Sequence, residues 1–409
     1  MKKFNASVVY LISEFTTGLA SKMIFTTFVM YRVQVAGLDP LQLVLLGTVL
    51  EGIIFLFEIP TGIVADVYSR RLSVIIGTLL IGIGHAIEGL APIFWVILAS
   101  QVVWGLGYTF ISGAFSAWIT DEVGTKNVGA VFLRGDQLSL FGNLVGIPLA
   151  VFIAAQSLAL PFLVGGGLNV ILAVFLILFM PEDGFEPTPP KEREGWRGMI
   201  TTFRAGIGLV RGRPALITFA AIGLVVGLYS EAWDRLAQPH LLEAFHFPTV
   251  NGLELSTIEW FGILNLIFIL VGIGANELAK RRVHTNQSQG TLKALQLSYA
   301  GMVAAILVFI LTSQFYLAIG AMVLFNALRT ITFPLENSWV NQQIDSKVRA
   351  TVLSMVGQVD AIGQVVGGPI LGGIGRIVSL RAALWASALT LSTSIPLYQH
   401  LWNLSRKEK

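Results

Sequence analysis

The sequence predicts an all-helical integral membrane protein in which twelve spans form two repeated six-helix bundles. Three observations predict it. Of 409 residues, 54% are hydrophobic and 12% charged, and the mean hydropathy is +0.74, whereas soluble domains carry roughly 25% charged residues. Apolar runs long enough to cross a bilayer follow one another along the chain, and a pattern of the first half returns in the second. The absence of cysteine excludes disulfides and thiolate metal sites.

A span needs about 20 apolar residues to cross about 30 Å of hydrocarbon. Runs between charged or Pro/Gly-rich breaks place the first six at 6–31, 41–64, 72–91, 94–119, 128–155 and 160–180. The next six fall at 214–242, 256–278, 291–312, 314–341, 350–375 and 381–402. Met1-Lys2-Lys3 resembles the start of a signal peptide, but Glu14 and Lys22 interrupt the run that follows, so it reads as an uncleaved first span. The 42 glycines suit helices that pack closely in lipid. The stretch 181–213 opens Pro181-Glu182-Asp183-Gly184 and holds Pro187, Pro189 and Pro190, so it reads as a linker between a bundle at 1–180 and one at 214–409.

Basic residues near span ends stay on the cytoplasmic side. With the N-terminus inside, that side collects Lys2, Lys3, Arg70, Arg71, Lys126, Arg134, Lys191, Arg193, Arg197, Arg204, Arg211 and Arg213, then Lys280, Arg281, Arg282, Lys293, Lys347, Arg349, Arg406, Lys407 and Lys409. The other side holds only Arg32, Arg376 and Arg381, so both termini are expected in the cytoplasm. Lys22, Arg235 and Arg329 fall inside spans.

One constant offset carries Trp118 onto Trp339, Gln137 onto Gln358, Gly142 onto Gly363, Gly146 onto Gly367 and Pro148 onto Pro369. Asp66-Val-Tyr-Ser-Arg70-Arg71 likewise returns as Glu277-Leu-Ala-Lys-Arg281-Arg282, each after the second span of its half. Parallel repeats of this kind mark transporters whose substrate site lies between the halves.

Gly62-Ile-Val-Ala-Asp66-Val-Tyr-Ser-Arg70-Arg71 resembles the signature of the major facilitator superfamily between spans 2 and 3, and with the spans and the repeat the resemblance covers nearly the whole chain. It implies a gating latch in which Asp66 and Arg70 pair with an acid at the end of span 4, here Asp121 or Glu122, with Arg71, Glu277, Arg281 and Arg282 alongside. An acid followed one turn later by arginines makes a switchable ion-pair cluster on physical grounds as well. Phe57-Glu58-Ile59-Pro60-Thr61-Gly62 and Ser230-Glu231-Ala-Trp233-Asp234-Arg235 resemble the drug:proton antiporter branch that contains tetracycline and macrolide efflux proteins. Glu58, beside Pro60 and near the latch, is a gating candidate with Gly62, as are Glu231, Asp234 and Arg235; the protein is expected to be a monomer without a cofactor. Gly368-Pro369-Ile-Leu-Gly372-Gly373 approaches the exporters' span 5 motif but lies in span 11, and span 4 reads Gln101-Val-Val-Trp104-Gly105 where the family carries an arginine.

Embedded charges are functional candidates because burying them costs several kcal/mol in lipid. Glu51, Glu14 and Asp136 are the proton-coupling candidates; Lys22 is expected to share a cavity with Glu14 without pairing directly, and Arg134 or Lys126 is the alternative partner of Asp136. His85 and Glu88, one turn apart, could relay protons, although a lone histidine in a span more often satisfies a local hydrogen bond. Arg329, near the centre of span 10, is expected to pair with Glu336 or Asp360; Glu231, Asp234 and Arg235, in the outer half of span 7, are expected at an external gate or substrate entry, with a structural Asp234–Arg235 pair as the alternative. Gln101, Trp104, Tyr108, Gln137, Tyr229, Trp233, Phe333 and Asn337 complete the substrate-binding candidates with Arg329, Glu336 and Asp360, a mixture of aromatic faces, amides and charges that suits bulky amphipathic or cationic ligands.

No Gly-x-x-x-x-Gly-Lys-Ser/Thr loop occurs, which argues against ATP-driven transport, and the scattered histidines form no metal constellation. Nothing points to an enzyme or to nucleic-acid binding. The expected function is export of hydrophobic or amphipathic drugs by proton antiport across a bacterial inner membrane, with the small-molecule substrate, protons and the bilayer as partners. The alternatives are import or export of a lipid or small metabolite and, from another class, a non-transporting receptor or scaffold.

Overall fold

Helix follows helix along the chain. The structure, a computed structural model, describes residues 4–187, 208, 212–250, 252–283, 288–343 and 346–407. Most of the 181–213 linker lies outside the described residues, as do Lys2, Lys3, Lys191, Arg193, Arg197, Arg204, Arg211 and Lys409. The helices are α1 (Ala6–Met30), α2 (Pro40–Val67), α3 (Arg70–Leu90), α4 (Phe94–Ile111), α5 (Ala114–Val123), α6 (Val128–Ala154) and α7 (Leu160–Phe179). The second half supplies α8 (Pro214–Ala244), α9 (Thr257–Arg282), α10 (Ser288–Leu311), α11 (Phe315–Gln343), α12 (Ser346–Ile377), α13 (Leu380–Ser392) and α14 (Ser394–Lys407). Among the described residues, ten spans are long and apolar enough to cross a membrane.

Local chemistry explains the ends. Asn5 accepts from the Ser7 amide, Ser69 from that of Leu72 and Ser379 from that of Ala382, which caps α1, α3 and α13. Proline opens α2 and α8, where its missing N–H costs nothing. Two expected spans are not single helices. Span 4 breaks between α4 and α5 at Gly113, whose φ of 75° suits glycine, and span 12 breaks at Thr393 between α13 and α14. The first span ends in a π-helical turn, Tyr31–Val35.

The chain divides into two compact units, one of Met1–Leu38, Val49–Trp196 and Ser256–Gly262, the other of Asp39–Thr48, Arg197–Leu255 and Ile263–Lys409. In the first, α1 packs on α6, and α3 on α4 and α7. A core of Val9, Tyr10, Trp118, Ile119, Leu172, Leu176 and Met180 closes one end. In the second, α8 packs on α12 and α13, and α10 on α11.

The repeated glycines perform the same task in each unit. Gly146 faces the Leu19 carbonyl of α1, where an added Cβ would sit 2.7 Å from the oxygen, and Gly142 abuts the Phe15 carbonyl. Their counterparts do likewise: an added Cβ at Gly363 would lie 2.6 Å from the Leu224 carbonyl oxygen of α8, and Gly367 abuts that of Leu228. Each crossing is therefore backbone against backbone, which only glycine permits. Trp118 and Trp339 are both fully buried; Nε1 of the first donates to the Pro181 carbonyl at 2.7 Å and that of the second to Ser288 Oγ at 3.0 Å.

Candidate functional site

Three polar clusters stand out, one at the α2–α3 turn, one inside the first unit and one inside the second. At the turn, Arg70 lies 3.9 Å from Asp66 and closer still to Asp121, to which Nη1 donates. Asp121 and Glu122 were alternatives for the latch acid, and it is Asp121 that Arg70 meets. Glu122 instead accepts from the Gly184 amide at 2.8 Å. The first residues after α7 complete the cluster. Glu182 accepts from the Ser69 hydroxyl at 2.8 Å and the Arg71 amide at 2.9 Å, while Arg71 Nη2 donates to the Ile177 carbonyl at 2.6 Å and Phe185 lies under the Arg70 guanidinium. Glu182 thus adds a charged cap where the α3 dipole is positive. The equivalent turn of the second unit carries an exposed pair, Glu277 with Arg281 at 2.7 Å.

Inside the first unit, Arg32 projects from the π-helical turn onto Glu88, with Nε–Oε1 at 2.7 Å and Nη2–Oε2 at 3.1 Å. Both residues are at most 4% exposed. Gln101 Nε2 and Ser100 Oγ also donate to Glu88 Oε2, and the Tyr31 hydroxyl donates to the Glu88 carbonyl. Arg32, counted among the basic residues of the non-cytoplasmic side, is half of a buried pair with Glu88 of α3. The same pair engages Glu88, the acid of the possible His85/Glu88 relay. Gln101 is turned into this network, and Trp104 packs on Phe25 and His85.

Gly135, next to Asp136 on α6, abuts the Tyr10 ring and the Glu14 side chain of α1, and Asp136 itself is exposed. The α1–α6 crossing sets these residues near one another. Glu51 and Glu58 both act on Tyr108, which is 47% exposed, and Ser112 Oγ donates to Glu58 at 3.3 Å. Gln137 is exposed on α6. Gly62, within α2, has open space where a side chain would stand.

In the second unit, Arg329 pairs with Asp234 through two bonds, Nη2–Oδ2 at 2.9 Å and a shorter Nη1–Oδ1 contact. This corrects the expected partners Glu336 and Asp360: α8 brings Asp234 across to α11 and satisfies both guanidinium branches. Arg235 Nε sits 3.4 Å from Glu231 Oε2, and Asp234, for which a structural pair with Arg235 is the alternative to a gating role, meets Arg329 instead. Trp233, Phe325 and Asn326 share a pocket of about 180 Å³ with the Asp234–Arg329 pair.

Glu336 and Asp360 line a cavity of about 490 Å³ whose wall also holds Phe219, Ile222, Phe333 and Asn337. Glu336 Oε1 accepts from the hydroxyls of Tyr299 and Tyr398, each at 2.7 Å, and Gln364 Nε2 donates to Asp360 Oδ2 at 2.7 Å. Tyr229 is buried within electrostatic reach of Asp234, Arg329, Glu336 and Asp360. Tyr299, Tyr398 and Gln364 escaped the sequence reading, which weighed embedded charges; a tyrosine inside a span also needs a partner for its hydroxyl and was a usable signal.

The family described as Major Facilitator Superfamily matches residues 10–368. The chain belongs to that superfamily. It is therefore a multi-pass membrane transporter of small molecules and not an enzyme. Among curated proteins it is 22% identical over 387 residues, 93% of this chain and 92% of the other, to the "Uncharacterized MFS-type transporter YxaM" of Bacillus subtilis (strain 168). It is 24% identical over 219 residues to "Sugar transport protein 12" of Arabidopsis thaliana, covering 51% of this chain and 41% of that one. Among solved structures, the nucleoside transporter NupG aligns with a TM-score of 0.74 at 13% identity, covering 97% of this chain and 98% of that one. A POT family transporter in complex with 5-aminolevulinic acid aligns with a TM-score of 0.75 at 16% identity, covering 98% and 96%. Likeness at these identities concerns the fold.

Proposed function

We propose that this transporter exports hydrophobic or amphipathic drugs by proton antiport, alternating access between halves at 1–180 and 214–409 in a bacterial inner membrane with both termini cytoplasmic. The observation that carries the reading is the second-unit cavity, whose aromatic and aliphatic wall is interrupted by two carboxylates and an amide. Such a wall holds a large apolar body and reads its polar end. Glu14 with Asp136, and Glu51, are the proton carriers of the first half, since an acid embedded among spans gains or loses charge at high cost and so couples protonation to conformation. The Asp66, Arg70 and Asp121 cluster serves as the cytoplasmic latch, and Glu231 with Arg235 as the opposite gate.

A drug-susceptibility panel in a pump-deficient host, followed by uptake into inverted vesicles with an imposed pH gradient, tests this. The reading expects gradient-dependent drug accumulation that is reduced in Glu14→Gln, Glu51→Gln and Asp136→Asn. Drug movement indifferent to the gradient, or full coupling in all three variants, would refute it.

A further inference from the structure

The outer face of α14 is polar where contact with lipid calls for apolar side chains. Its exposed positions are Pro396, His400, Asn403 and Arg406, whose spacing aligns them on one face. The last helix of the first half, α7, exposes Val164, Ile171, Val174, Ile177 and Leu178 instead. Hydrocarbon offers no hydrogen bond to an imidazole or an amide, so the α14 stripe needs a polar partner.

The neighbouring helix α10 supplies the rest of the surface. Gln296 Nε2 donates to Gln399 Oε1 at 3.0 Å, and Gln399 Nε2 donates to Asn403 Oδ1 at 3.4 Å, which leaves the Asn403 amide N–H groups for another acceptor. Tyr299 and Tyr398 lie against each other along the same seam, with ring centroids 5.0 Å apart. Residue numbers therefore rise along α10 as they fall along α14, and the two helices run antiparallel. At 1.5 Å per residue, Lys293 stands level with Trp402. The Arg406 guanidinium lies over the Trp402 ring, 4.7 Å from its centroid. Lys293 is exposed, and among the described residues neither it nor Arg406 pairs with a carboxylate. Indole rings gather at the level of lipid headgroups, and long basic side chains extend to the same level. Trp402 thus places Lys293 and Arg406 among the phosphates, with Asn403 and His400 toward the glycerol esters.

We propose that the α10–α14 seam binds one anionic phospholipid, its phosphate between Lys293 and Arg406 and its ester carbonyls on Asn403 and His400. The headgroup carries net negative charge, because two cations meet it with no acid alongside; a zwitterionic headgroup leaves that charge unmatched. The bound lipid ties α10 to α14 whatever solute is carried, so failure of the efflux reading leaves this site untouched.

The test uses the purified full chain in dodecyl maltoside, titrated with phosphatidylglycerol or phosphatidylcholine carrying brominated chains. Bromine quenches nearby tryptophans, and the part of the quenching that disappears in Trp402→Phe reports this site. Wild type is expected to bind phosphatidylglycerol there at least about tenfold more tightly than phosphatidylcholine. Lys293→Gln with Arg406→Gln should lower phosphatidylglycerol to the phosphatidylcholine level while phosphatidylcholine quenches as in wild type, which also shows that the double variant is folded. Glycerophosphoglycerol, the same headgroup without chains, should leave the quenching unchanged. Equal affinity of wild type for the two lipids, a preference kept in the double variant, or quenching unaltered in Trp402→Phe would overturn the proposal. Displacement of the lipid by the soluble headgroup would overturn it as well, by assigning the surface to a soluble anion.

Discussion

Replacing Glu88 by glutamine keeps the shape of the side chain and removes the charge that neutralises Arg32. The guanidinium stays where it is, held by the π-helical turn and about 4% exposed, with Phe28 below it. Breaking a buried pair by removing one partner costs about 3–5 kcal/mol, because the remaining charge is stranded. For a unit of about 200 residues each kcal/mol lowers Tm by roughly 2–4 °C, so Glu88→Gln should melt about 6–20 °C below wild type. Arg32→Met with Glu88→Gln removes both charges and should recover most of that loss, to within about 1–2 kcal/mol of wild type. Thermal unfolding of the four proteins in one detergent, followed by tryptophan fluorescence, completes the cycle. A single-variant loss under about 1 kcal/mol, or a double variant that loses the sum of the two singles, would show that the pair is not the buried neutralising unit described.

Three other outcomes follow from the geometry. Glu182→Ala removes a cap from α3 and should cost about 1 kcal/mol, seen as faster hydrogen exchange at the Arg71 amide; unchanged exchange would contradict the cap. Gly146→Ala and Gly363→Ala each press a methyl into a facing backbone and should cost about 1–3 kcal/mol, whereas Gly167→Ala, with open space where its methyl would stand, should cost less than about 0.5 kcal/mol; equal melting of all three would contradict the crossings. Asp234→Asn should reduce transport in vesicles, and Asp234→Arg with Arg329→Asp should restore part of it, since that pair is a two-branched bond between α8 and α11; a swap no better than the single variant would remove the pair from the mechanism.

The spans were legible because lipid imposes one rule, a run of apolar residues of fixed length, and that rule is written locally. The breaks at Gly113 and Thr393 were less so, since an interruption of one or two residues leaves hydropathy almost unchanged. Partners across helices were the hardest to foresee. Depth along a span is readable from sequence, but rotation about the helix axis relative to a neighbour is set by packing, and it decides whether Arg329 meets Asp234 or Glu336. Neutral partners such as Tyr299, Tyr398 and Gln364 carry no signal in a survey of charges, although they set the bonding of Glu336 and Asp360.

The paired glycine crossings bear on how the halves came to differ. A backbone-to-backbone seam is inherited whole when a segment is duplicated, since it depends on residues lacking side chains and nothing need co-vary to preserve it. Gly142 and Gly146 keep their counterparts Gly363 and Gly367, while the charges around them have parted company, with Glu14 and Asp136 on one side and Asp234, Arg329, Glu336 and Asp360 on the other. With the seam held by glycine, the polar side chains of the two halves can differ without loosening the helices that carry them. Chemical specialisation of one half therefore did not require redesign of its frame.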